Sequence, residues 1–325
     1  MRKVLILAPR LDCSFKEGPV PAVEGSPNHP LRTNYLPFYE HLLRRHEELG
    51  DSVTFEKKAL WQFDPSDYKR SEYDIVYVPH KQKYQFDLGN KGRYYMQQVI
   101  PSIFSIDKEG WGADLSIKPT RCKDNGAFDI LKQRIISNKS KFDQPDYKED
   151  FKEKDYVFFP CQLPHDETIK YHSDTSVYNA LLQTLEWAKR KNIKVWVKGH
   201  PANPASMIDL RTLTLQYDNA EWTTSMSIHQ LIKNSLFVAL VNSGVGIEAL
   251  LHGKIVAAYG RADYTTDNPN VFSVKDSSTL SDIKDYIYLK RMNHRCEKES
   301  FKEFIQGWYN HYFDVTDSKT FSKII

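Results

Sequence analysis

The sequence predicts an α/β protein built as two Rossmann-like lobes facing a cleft. Three observations predict it. The chain has 325 residues, enough for two cores of ordinary domain size. Each half alternates continuous apolar runs, as in strands covered on both faces, with segments whose apolar residues recur at helical spacing. Between the halves lies NKSKFDQPDYKEDFKEKD (138–155), dense in charge of both signs and poor in aliphatics. A boundary placed there gives an N-terminal lobe of residues 1–145 and a C-terminal lobe of residues 146–325, with the terminal helix able to pack back on the first lobe.

In the first half, KVLILAP (3–9) reads as a buried strand. Residues 18–30, with four Pro and two Gly, read as a loop. Leu36, Tyr39, Leu42 and Leu43 give residues 34–49 a helical spacing. SVTFEK (52–57) and YDIVYVP (73–79) are strands, residues 93–102 are helical, and SIFSID (102–107) is a strand before the turn Gly110-Trp111-Gly112. In the second half, YVFFPCQ (156–162) is a strand, and residues 176–191 form a helix with Leu181, Leu182, Leu185 and Ala188 on one side. NIKVWVKGHP (192–201) is a strand running into a turn, and residues 227–234 are a short helix. SLFVALVNSG (235–244) is a strand ending in a Gly turn, residues 247–252 are a short helix, and KIVAAYG (254–260) is a strand. An aromatic-rich helix covers 301–313.

Composition excludes several classes. With 40% hydrophobic and 27% charged residues the chain is globular, and a net charge of +3 is too small to argue by itself for a nucleic-acid binder, so no nucleic-acid partner is expected. Cys13, Cys122, Cys161 and Cys296 form no CxxC pair, so they read as reduced thiols of a cytosolic protein and not as a zinc knuckle. The apolar run Val4 to Ala8 is too short for a signal core, and no run of 18 apolar residues suggests a membrane span. The expected location is the cytoplasm, with a peripheral contact at the inner membrane left open. Aromatics at 13%, with 19 Tyr and 6 Trp, suit sugar and nucleobase surfaces, although packing accounts for most of them.

Three strand ends of the second half are polar, and ligands of open parallel sheets bind beyond such ends. The third, Asn242-Ser243-Gly244-Val245-Gly246-Ile247-Glu248, leads from a strand into a helix and offers backbone N–H groups to an anion, with the Ser243 hydroxyl at the cap. Glu248, one turn on, is placed to grip ribose hydroxyls; a plain capped helix explains the segment equally well. Gly244-x-Gly246-x-x-Ala249 matches the dinucleotide fingerprint, but its helix is too short before the next strand, which disfavours an oxidoreductase. At the second end, Lys198 and His200 can face a phosphate, or serve as a surface lysine and a turn histidine. At the first, Asp166 follows Gln162 and serves as nucleophile or base, or caps the helix that follows. Nearby cations would hold such a carboxylate ionised.

As a set, these segments resemble the capsule polysaccharide synthesis family, which includes retaining β-Kdo transferases. LVNSGVGIEALLHGKIVAAYGRADY (240–264), VWVKGHP (195–201) and FFPCQLPHDETI (158–169) resemble its Asn-Ser…Gly…Glu-Ala-Leu run, its Lys-x-His-Pro motif and its Gln-x-x-x-Asp motif, in that order. SIDKEGWGADLS (105–116) resembles its acidic-Gly-aromatic turn, with Lys108 at the acid's place between Asp107 and Glu109. The resemblance implies a GT-B-like glycosyltransferase of capsule or lipopolysaccharide synthesis. Its N-terminal lobe would take a glycan or glycolipid acceptor and its C-terminal lobe the nucleotide-sugar donor CMP-Kdo, with no metal and no other cofactor. It further implies Asp166 as nucleophile and Asp107 or Glu109 as the acceptor's base. Gln162, Lys198, His200, Asn242, Ser243, Gly244 and Glu248 would hold the donor, His200 also serving catalysis. The competing readings are a GT-B enzyme with another nucleotide sugar and a non-catalytic binding protein of capsule assembly.

Overall fold

A computed structural model describes residues 1–9, 35–58, 62–137, 140–142, 144–292 and 298–323. The loop expected at 18–30, and Cys13 and Cys296, lie outside the described residues. The chain forms two compact units: Met1–Lys118 with Lys139–Phe142 and Tyr309–Ile325, and Pro119–Asn138 with Asp143–Trp308.

The first unit begins β1 (Lys3–Pro9), α1 (Tyr35–Glu48), β2 (Ser52–Lys58), α2 (Pro65–Lys69), β3 (Ile75–Pro79), β4 (Gly92–Gln97) and β5 (Ile103–Asp107). Successive residues of a strand point to opposite faces, and both faces of β1 are covered. Val4, Ile6 and Ala8 share one core with Phe38, Tyr39 and Leu42 of α1, while Leu5 and Leu7 share the other with Tyr68, Phe86 and Tyr94. Burial on both sides is why the run reads as continuously apolar. Strands β2, β1, β3 and β4 pair in parallel. β4 corrects the expectation of a helix over 93–102: Tyr94 and Tyr95 enter opposite cores, which only an extended chain allows. β5 then runs antiparallel to β4, which brings Asp107 beside Tyr94 near the start of β4. The first sheet is therefore mixed, not wholly parallel.

The second unit comprises α3 (Ala127–Ile136), β6 (Val157–Pro160), α4 (Glu167–His172), α5 (Val177–Arg190), β7 (Val195–Lys198), α6 (Ile208–Thr214), β8 (Ala220–Thr223), α7 (Ile228–Asn234), β9 (Phe237–Leu240), α8 (Val245–Leu251), β10 (Val256–Ala258), β11 (Val271–Ser273), α9 (Ser277–Met292) and α10 (Lys298–Tyr309). Its sheet is parallel throughout, in the order β11-β10-β9-β6-β7-β8. This is the doubly wound order in which the chain builds outward from a central strand, returns beside it, and builds outward again. The reversal falls between β6 and β9. Among the described residues no helix is long and apolar enough to cross a membrane.

Two features differ from the boundary at 145. Residues 119–138 belong with the second unit, because the Gln306 carboxamide accepts the N–H groups of Asn125 (2.9 Å) and Ala127 (3.1 Å). Gly307 makes room for them, since a Cβ there would stand 1.7 Å from the Thr120 carbonyl oxygen. The helix expected over 301–313 ends at Tyr309, and a strand, β12 (Phe313–Asp314), pairs antiparallel with β5. The first sheet thus reads β12-β5-β4-β3-β1-β2.

α7 and α8 meet through His229 Nδ1 and His252 Nε2, 3.3 Å apart. Burial lowers both imidazoles, His229 to about 4 and His252 to about 3, the latter helped by the His229 ring and by Lys132, Lys254 and Lys233. A folded pKa below the unfolded value of 6.5 means that the neutral form stabilises the fold fully above pH 6.5 and that this contribution is lost as pH falls toward 4. For His229 the expected loss by pH 4 is about 3 kcal/mol. Urea titrations at pH 7 and pH 4 check this, and His229→Gln should reduce the difference while His252 keeps its own share.

Candidate active site

The reversal between β6 and β9 leaves a crevice beyond their carboxyl ends, the place where open α/β sheets bind ligands. Both loops that flank it are polar, and they are bonded to each other. Gln162, after β6, is buried, and so is Asn242, after β9. The Gln162 Nε2–H donates to Asn242 Oδ1 at 2.9 Å, and the Asn242 backbone N–H donates to Gln162 Oε1 at 2.9 Å. Asn242 Nδ2 donates in turn to the Thr168 carbonyl at 2.7 Å. The two amide residues expected to touch a donor are thus joined into a frame between the two central strands.

Asp166 stands on this frame as the N-cap of α4 and is half-buried. Its Oδ1 accepts the Thr168 N–H and the Thr168 Oγ–H, each at 2.9 Å. The capping reading is therefore correct as geometry. It does not exhaust the carboxylate, because among the described residues no donor reaches Oδ2.

Lys198 ends β7, beside β6, and is 7% exposed. Its ammonium donates to the carbonyls of Met226 (2.7 Å) and Thr224 (3.3 Å), so it pins the loop between β8 and α7. Burial brings its pKa down to about 8. The expected pairing with Asp166 is absent: among the described residues no carboxylate lies within ion-pair distance of Lys198. His200, half-buried, follows Gly199, whose missing Cβ leaves room for the Trp222 ring. His200 Nδ1 accepts the Ala202 N–H at 3.2 Å, which puts the imidazole proton on Nε2.

α8 begins two residues earlier than expected, at Val245. Ser243 Oγ accepts the Val245 N–H (3.2 Å), and the Gly246 N–H closes onto the Ser243 carbonyl (2.9 Å). The amides of Ser243 and Gly244, which follow Asn242, take no acceptor among the described residues. Glu248, in the first turn of α8, is 3% exposed.

Sequence reasoning missed two residues. Thr168 joins Asp166 to Asn242, as described above; the triplet Asp-Glu-Thr was its signal. Tyr264, 1% exposed, donates its hydroxyl to the Ser243 carbonyl and lays its ring against Gly246. Gly246 is glycine because of that ring. The dinucleotide fingerprint is excluded on the same ground, and because it would belong in the loop after β6, where Cys161 to Asp166 contains no glycine.

Asp107 and Glu109 lie in the first unit. Asp107 accepts from the backbone N–H of Glu109 (2.7 Å), Gly110 (3.3 Å) and Ser116 (3.1 Å), and from the Ser116 hydroxyl (2.7 Å). It organises its loop. Glu109 is exposed and pairs with Lys83 at 2.6 Å. The buried Gln82 carboxamide accepts the Trp111 N–H (2.9 Å) and holds the adjacent turn. Because β5 runs antiparallel, both acids emerge toward the amino ends of the parallel strands.

Residues 128–268 match the sequence model of the capsule polysaccharide biosynthesis proteins. Protein FixF of Sinorhizobium fredii is 32% identical over 112 residues, 34% of this chain, and the match spans about a quarter (27%) of that protein's length. Among solved structures, the Thermosulfurimonas dismutans KpsC beta Kdo 2,7 transferase is similar at 16% identity and a TM-score of 0.49, over 88% of this chain and 95% of that one. The S. aureus MnaA–UDP structure is similar at 10% identity and a TM-score of 0.45, over 100% of this chain and 98% of that one. The matched residues 128–268 hold both loops that follow β6 and β9 and the end of β7, so the likeness to the capsule polysaccharide biosynthesis proteins falls on the segment that carries the candidate site.

Proposed function

We propose that the protein is a retaining glycosyltransferase that moves Kdo from CMP-Kdo to a glycan or glycolipid acceptor in capsule polysaccharide synthesis. The observation that carries this is a carboxylate with one open oxygen, Asp166 Oδ2, and two open amides, Ser243 and Gly244, set on the two loops of one crevice. A carboxylate serves a sugar's anomeric carbon, and open amides serve a phosphate. The Kdo and cytidine assignments rest on the motif resemblance to the family's retaining β-Kdo transferases.

In this reading Asp166 Oδ2 attacks the anomeric carbon, and the bond to the phosphate oxygen breaks with its electron pair leaving on CMP. The Ser243 and Gly244 amides and the His200 Nε2–H meet the phosphate charge that develops. Glu248 holds the ribose hydroxyls. Gln162, Asn242 and Lys198 act by holding the loops. The acceptor hydroxyl then displaces Asp166 and gives its proton to a base; Asp107, engaged by its own loop, and Glu109, paired with Lys83, are not placed for that role by their contacts. Two inversions give retention. The reading calls for no metal.

Calorimetry with CMP, UMP and GDP, followed by CMP-Kdo turnover with capsule and lipopolysaccharide acceptors in the presence of EDTA, tests it. CMP should bind tightest and turnover should survive the chelator. Tighter binding of UMP or GDP would move the reading to another nucleotide sugar.

A further inference from the structure

We infer that Thr168 is a positioning residue that selects which oxygen of Asp166 forms the bond to the sugar. The inference deepens the proposed function and rests on the reading of Asp166 as nucleophile.

Thr168 is the second residue of α4. An N-cap carboxylate needs only one backbone N–H to satisfy the helix end, and the Thr168 N–H supplies it at 2.9 Å. The bond from Thr168 Oγ to the same Oδ1, also 2.9 Å, is additional to capping. With both donors on Oδ1, the carboxylate is fixed against rotation and Oδ1 has its lone pairs engaged. Oδ2 keeps its lone pairs for carbon. The donors are themselves immobile: the Thr168 carbonyl accepts from Asn242 Nδ2 at 2.7 Å, and Asn242 is held twice by Gln162. The line Gln162–Asn242–Thr168–Asp166 therefore ties the nucleophile to both strands that flank the crevice. Fixing a reacting atom in this way lowers the barrier by removing unproductive orientations.

The role persists through the reaction. When Oδ2 bonds to the anomeric carbon and CMP departs with the electron pair, Oδ1 becomes the carbonyl oxygen of the ester, still held by two donors. When the acceptor oxygen displaces Oδ2, the carboxylate charge returns to a group already solvated by Thr168. No proton leaves the threonine at either step.

Thr168→Val keeps the branched shape and the backbone N–H and removes only the hydroxyl. The expected result is a kcat lower by roughly tenfold or more, the worth of one charge-assisted hydrogen bond. Donor KM, CMP affinity and thermal midpoint should stay at wild-type values. Thr168→Ser should restore most of the rate, and Thr168→Ala should repeat the valine result without its bulk. A wild-type kcat in both Thr168→Val and Thr168→Ala overturns the inference. So does a Thr168→Ser variant as slow as Thr168→Val, since shape and not the hydroxyl would then matter. Asp166→Asn in the same assay separates the two levels. If it is inactive while Thr168→Val is unimpaired, only the Thr168 role falls. If it turns over normally, the nucleophile reading falls first.

Discussion

Asp166→Asn is expected to lower transfer by at least about a thousandfold while leaving fold and CMP binding intact. The substitution is close to isosteric, and asparagine caps a helix as well as aspartate. The side-chain carbonyl of asparagine can keep both bonds from Thr168, each 2.9 Å in the native protein. The change falls on the other position, where an NH₂ group replaces Oδ2. That group has no lone pair to give the anomeric carbon and no charge to balance the developing cation. Steady-state rates, thermal midpoints and CMP calorimetry measure the three quantities separately. Intact-protein mass spectrometry after exposure to CMP-Kdo should show a sugar-sized increment on the native protein and none on the variant. A variant with near-native transfer would leave Asp166 as a helix cap and nothing more.

Gly246→Ala should destabilise the protein by about 2–3 kcal/mol. Alanine in a helix is favoured over glycine by about 1 kcal/mol, which works in the opposite direction. The steric term is larger here because the new Cβ would stand 2.4 Å from Cζ, 2.5 Å from Cε2 and 2.6 Å from the hydroxyl of Tyr264. The ring has nowhere to go: it is 1% exposed, its hydroxyl holds the Ser243 carbonyl, and its own carbonyl accepts from Asn268 Nδ2 at 3.1 Å. Any relief must come from the Ser243–Gly246 turn, so CMP affinity should fall with stability. Urea unfolding with CMP titration checks both, and an unchanged midpoint would show that the ring yields.

Much of the second unit was legible because its strands are buried on both faces and announce themselves as apolar runs. β6, β7, β9 and β10 all fall inside the segments read as strands. The edge strands β8 and β11 were not read, since a half-exposed AEWT or VFS carries no such signal. α9 was missed for a related reason: only Leu280, Ile283 and Ile287 of its sixteen residues are buried. β4 was misread because RYYMQ places two tyrosines in sequence, and only tertiary structure sends them to opposite cores.

The site divides the same way. Polar residues at the ends of apolar runs marked Gln162, Asp166, Lys198 and Asn242 correctly as strand-end residues. Their partners were hidden, because they come from the fold. Gln162 and Asn242 meet across 80 residues of sequence, and Lys198 finds carbonyls 26 and 28 residues on. The direction of β5, which decides where Asp107 emerges, is likewise a property of the sheet and not of the pentapeptide.

The pairing of β12 with β5 has a consequence for biosynthesis. On the ribosome, β5 emerges early, but the strand that covers its edge appears only after the whole second unit has been made. Until then Ile103 and Phe104 lie on an open edge with unpaired amides and carbonyls, a template for other nascent chains. Phe104, which stacks on Phe38 at 4.2 Å, also lacks Phe313 as a neighbour in that interval. The first unit is therefore the earlier to be translated and the later to be finished, and its nascent form is the stage at which a chaperone has most to protect.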